Sequence, residues 1–153
     1  MSAMRRVVPF VLFGGVAAVV VAAVAWALLA ARELPDGPVA IVWDKAACAA
    51  CGMHVGEPGF AAQLTDTTGH TLAFDDPGCL FEYVAQNRPT VHAIWFHHRH
   101  ETRWLAADRA AFVDAPTTPM GFGIAAVDAG TAGAMTLDAA RQRCLARAPI
   151  GGR

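Results

Sequence analysis

The chain has 153 residues, 55 % of them hydrophobic, and a formal net charge of −1. That length suits one modest domain plus whatever the N-terminus contributes. The charge balance argues against a nucleic-acid binder, which carries a basic face, and the four unevenly spaced cysteines do not resemble a disulfide-stapled mini-protein.

The run from Val7 to Ala30 carries no charge. At about 1.5 Å of rise per residue, a helix over that run spans the roughly 30 Å hydrocarbon core of a bilayer. Arg5 and Arg6 precede it, and Arg32 and Glu33 follow. The positive-inside rule then puts the N-terminus in the cytoplasm and the rest outside. The expectation is residues 1–33 as a single-pass anchor in the inner (cytoplasmic) membrane, with the domain facing the periplasm. A cleaved signal peptide is the alternative, and Ala25-Trp26-Ala27 offers a small-residue cleavage pattern.

Residues 34–38 (Leu-Pro-Asp-Gly-Pro) form a linker, because Pro and Gly stop the helix. A domain over 39–148 follows, with 149–153 as a tail. Val39 to Trp43 reads as a short strand. Phe60–Thr65 and His70–Phe74 read as a hairpin around Asp66-Thr67-Thr68-Gly69. Asp75-Asp76-Pro77 is a helix start signal, with an aspartate cap and proline at the first helical position. The helix is expected from Pro77 to Gln86. Thr90 to His98 is β-branched and aromatic and reads as a strand, and 104–113 as a short strand or helix, with 106–112 leaning helical. Phe122–Val127 reads as a strand, and Thr136 caps a last helix over Leu137–Ala148. The expected fold is α+β: a transmembrane helix, then a small domain of two similar strand–hairpin–helix units.

Chemistry concentrates in Cys48-Ala49-Ala50-Cys51-Gly52-Met53-His54. Thiolate and thioether sulfur suit Cu(I), whereas oxygen donors suit hard ions. Gly52 frees the backbone for an unusual turn, so Cys51 and Met53 can point at one atom. Cys48 is either a further ligand or the disulfide partner of Cys51. His54 is adjacent to the site or simply solvated. Cys79, near a helix start, is a reactive thiol, a transfer ligand or a small buried hydrophobe. Cys144 falls on the apolar side of the last helix and reads as core. His97-His98-x-His100 reads as a solvated face, and Asp75 with Asp76 as a cap rather than a catalytic pair. No nucleophile–base pairing, phosphate loop or cofactor fingerprint is present in the sequence.

Three motifs in order, Cys48-x-x-Cys51-Gly52-Met53, Phe74-Asp75-Asp76-Pro77-Gly78-Cys79 and Thr118-Pro119-Met120-Gly121, resemble the NosL family of copper chaperones for nitrous oxide reductase maturation. The resemblance covers about Trp43 to Val127. It implies a non-enzymatic Cu(I) carrier, with Cys51 and Met53 in the metal-binding motif. Met120 is a third candidate ligand and Cys48 a fourth. It also implies delivery towards the copper centre of nitrous oxide reductase, together with a membrane transporter complex. Family members are often lipoproteins, and here the Val7–Ala30 segment takes over anchoring. A chaperone for another exported copper enzyme is the near alternative. A thiol–disulfide oxidoreductase using Cys48 and Cys51 is a second, and a structural zinc module a third.

Overall fold

The computed structural model describes residue 16, residues 18–27 and residues 34–147. The chain divides into two compact units, Met1–Glu33 and Leu34–Arg153. In the first, residues 18–27 are helical and exposed. At about 1.5 Å per residue they span roughly 15 Å, half of the hydrocarbon core. Among the described residues no helix is long and apolar enough to cross a membrane. This corrects the expected transmembrane helix, and with it the single-pass placement in the inner membrane. The rest of Val7–Ala30, the charges flanking it and the tail 149–153 lie outside the described residues.

The second unit mixes helix and sheet. A 3₁₀ turn over Pro58–Phe60 leads into β1 (Ala62–Asp66), followed by β2 (Thr71–Phe74) and α1 (Pro77–Asn87). Then come β3 (Val91–His97), β4 (Trp104–Ala106), β5 (Ala110–Asp114), β6 (Ile124–Asp128) and α2 (Leu137–Leu145). Four strands form one antiparallel sheet in the order β2-β1-β3-β4, while β5 and β6 pair separately.

Local chemistry explains the joints. Asp66 Oδ1 accepts from the backbone N–H groups of Thr68 (2.8 Å) and His70 (3.1 Å), and Gly69 takes φ +88°, which turns the first hairpin. Asp76 caps α1 by accepting from Gly78 N at 2.9 Å, with Pro77 in the first turn. Left-handed Arg88 ends that helix. The Thr136 hydroxyl caps α2 through Ala139 N at 3.3 Å. Phe81, Phe96 and Phe112 meet in the core with ring centroids 5.0–5.8 Å apart, joining α1, β3 and β5.

Several expectations are corrected. The domain is not two similar strand–hairpin–helix units. Strand β3 pairs along β1, with Leu64 opposite Ile94, so both parts of the chain build one sheet, and the later part contributes a second hairpin of its own. Val39–Trp43 is not a strand. Val39 exchanges hydrogen bonds with the Gln63 side-chain amide (2.9 and 2.6 Å) rather than with a neighbouring backbone ladder. Residues 106–112 are not a helix: after one 3₁₀ turn at Ala107–Arg109 the chain enters β5, where pairing with β6 overrides alanine's helical preference.

Candidate metal centre

The cysteine loop is folded by its own backbone. Asp44 N donates to Val55 O (3.0 Å), Val55 N to Ala46 O (2.9 Å) and Cys48 N to Met53 O (2.7 Å). Gly52 N returns to Cys48 O (2.9 Å), and Gly52 has φ +78°, where a side chain would be strained. Ala49 N donates to Ala73 O at 2.9 Å, which ties the loop to β2 just before Asp75. The first turn of α1 then brings Cys79 to the same place.

The outcome is a four-membered group. Ligand atoms of Cys48, Cys51, Asp75 and Cys79 all lie within 4.8 Å of one another. Cys48, Asp75 and Cys79 are buried and Cys51 is half-buried. All four cysteines of the chain are free thiols. Cys51 Sγ lies 3.5 Å from Asp75 Oδ1, in the direction of a thiol donating to a carboxylate. The Cys79 thiol donates to the Cys48 sulfur, which pulls the Cys48 pKa down to about 7. The same bond, with burial, holds the Cys79 proton on and raises its pKa. Burial pushes Cys51 up to about 12.

The expected ligands separate by place. Cys48 and Cys51 are in the group. Met53 follows it in the loop and is 58 % exposed. Met120 is half-buried and packs against the core that includes Cys48 and Cys79. Its backbone N–H donates to Asp76 Oδ2 at 3.3 Å. His54 is exposed, and Cys144 is fully buried in the core, where burial lifts its thiol to about 11. Asp75 is the member that sequence reasoning missed, since a cap explains either aspartate. In the structure Asp76 caps and Asp75 joins the thiols. The signal was the position of Asp75 four residues before Cys79, across a helix start.

The histidine run corrects another expectation. His97 and His98 are buried rather than solvated. His98 Nε2 lies 3.7 Å from Glu101 and 3.6 Å from Asp128, and the three residues form a second close group. Arg103 already pairs with both carboxylates, through Glu101 Oε2 at 2.8 Å and Asp128 Oδ1 at 3.0 Å.

Three sulfurs and one carboxylate make a donor set fitted to a soft metal ion. Thioredoxin-like redox pairs sit at a helix N-terminus, whereas Cys48–Cys51 lies in a turn. The sequence model of the NosL family matches residues 38–141. No curated protein matches the sequence. The fold is similar to the crystal structure of the copper chaperone NosL from Shewanella denitrificans, with a TM-score of 0.53 and 20 % sequence identity. That likeness covers 71 % of this chain and 89 % of the other.

Proposed function

We propose that this chain, which belongs to the NosL family, carries Cu(I) as cargo in the thiol group and delivers it for assembly of the nitrous oxide reductase copper centre. The observation that carries the reading is the convergence of Cys48, Cys51 and Cys79 from two separate segments within 4.8 Å. The name of the Shewanella structure supports copper, and three thiols support its reduced state, since Cu(I) takes sulfur donors. Binding and release need no turnover, so the protein is a carrier and not an enzyme.

The arrangement suits a carrier. Cys48 and Cys79 are buried, Cys51 stands half-exposed, and Met53, two residues further along the loop, is exposed. In this reading Met53 and Met120 are thioether donors at the margin of the thiols. A receiving protein's sulfur or nitrogen ligands reach the metal from the Cys51 and Met53 side and replace these ligands stepwise. The receiver is nitrous oxide reductase with its transporter complex, and another copper enzyme is the alternative.

The test is anaerobic titration of the reduced full chain with Cu(I) against a chromophoric competitor, with Zn(II) in parallel. One tightly held Cu(I), weakened at least about tenfold in Cys51→Ser and Cys79→Ser, is expected. Unchanged binding in both variants would refute the site. For delivery, the loaded chain is mixed with copper-free nitrous oxide reductase and the reductase's copper is measured after separation. No transfer above that from free Cu(I) would remove the reductase as receiver.

A further inference from the structure

Asp76 has no exposed surface, yet it carries a carboxylate. Helix capping accounts for one oxygen, Oδ1, which accepts from Gly78 N at 2.9 Å. Serine or asparagine caps a helix equally well without burying a charge. The second oxygen, Oδ2, has a different partner, the backbone N–H of Met120 at 3.3 Å, 44 residues further along the chain. The Thr118 side chain donates to the same carboxylate.

The loop that bears Met120 is docked on this helix end in another way. A Cβ on Gly78 would lie 2.0 Å from Phe122 Cγ, so the ring rests directly on the glycine. Within the loop, Gly121 N donates to Thr118 O (3.1 Å) and Gly123 N to Thr118 Oγ1 (3.3 Å). Residues 118–123 are thus fixed to the turn that begins at Asp75 and contains Cys79.

We infer that Asp76 is a positioning residue of the metal centre, holding the 118–123 loop so that the Met120 thioether closes over the thiol group as an added donor. The inference rests on the carrier reading above. Asp76 does not touch the metal. It acts through Met120, which distinguishes it from a residue that only caps α1.

The experiment is a double-mutant cycle in the full chain, reading Cu(I) affinity by competition and the sulfur neighbours of bound copper by X-ray absorption. Asp76→Asn keeps an oxygen for Gly78 but faces Met120 N–H with an amide donor. It is expected to weaken Cu(I) binding about tenfold and to remove one sulfur neighbour, as Met120→Ala does. The double variant binds no more weakly than Met120→Ala alone, because coupled residues are not additive. Thr118→Val removes only the hydroxyl. It serves if Asp76→Asn does not fold, with a smaller loss that again vanishes in the Met120→Ala background. Additive losses, or an unchanged sulfur count in folded Asp76→Asn, overturn the positioning role. A wild-type chain that takes up no Cu(I) overturns the carrier reading as well.

Discussion

Cys51 Sγ lies 3.5 Å from Asp75 Oδ1, so the one half-exposed thiol of the cluster is bonded to its one oxygen donor. The carboxylate is hard and the three sulfurs are soft. Zinc accepts both kinds of donor, whereas Cu(I) favours sulfur. Asp75→Ala is therefore expected to lower Zn(II) affinity about tenfold or more while Cu(I) affinity changes by less than about threefold. Parallel competition titrations measure the ratio. Equal losses for both metals would mean that Asp75 serves the fold of the site and not its selectivity.

The thiols also set a pH dependence. A metal binds thiolates, so each protonated thiol must release its proton on loading. Cys51, raised to about 12 by burial, and Cys79, raised by its bond to Cys48, are protonated throughout the neutral range. Cys48, lowered to about 7 by the Cys79 hydrogen bond, changes state within that range. Below pH 7 all three protons oppose binding; above it only two do. Log affinity for Cu(I) should thus rise by about three per pH unit below pH 7 and by about two above it. Competition titrations from pH 6 to 8.5 read the slope, and a slope that stays constant across pH 7 would contradict a low Cys48 pKa.

The core makes a separate prediction. Phe112 is fully buried, with ring centroids 5.0 Å from Phe96 and 5.7 Å from Phe81. Its backbone also exchanges hydrogen bonds with Met135 (2.9 and 2.7 Å). Phe112→Ala should cost about 3–5 kcal/mol of stability. Denaturant unfolding measures it. A loss below about 1 kcal/mol would mean that β5 and β6 are not packed on the main sheet as described.

The parts legible in the sequence are those decided by neighbouring residues. The Asp66–Gly69 turn, the start of α1 at Asp76 and Pro77, and the cap at Thr136 each depend on a side chain bonding backbone within a few positions. Cys48 and Cys51 stand out by spacing alone. What was hidden depends on pairing across the chain. Asp75 meets Cys51 because Ala49 N binds Ala73 O, a contact no local pattern announces. Val39–Trp43 looks like a strand, but its hydrogen bonds go to the Gln63 side chain. The apolar Val7–Ala30 run suggested a span that no helix among the described residues supports.

The second close group, around His98, separates geometry from chemistry. His98 Nδ1 accepts from the backbone N–H groups of His100 (3.2 Å) and Glu101 (3.1 Å). Two donors facing Nδ1 put the ring proton on Nε2, which faces Glu101 and Asp128. A metal would need the Nε2 lone pair, and with it a proton on Nδ1 pointing at two N–H groups. It would also have to displace Arg103, whose guanidinium holds both carboxyls below the usual carboxylate range. His98 is therefore a hydrogen-bonding post for the turn between β3 and β4. His98→Ala is expected to cost about 1–3 kcal/mol through the two backbone donors it leaves without their acceptor. It should leave metal stoichiometry unchanged. Denaturant unfolding and Zn(II) titration of the same variant read both. Loss of a second bound equivalent of Zn(II) in His98→Ala would show that this group holds metal despite the proton and the arginine.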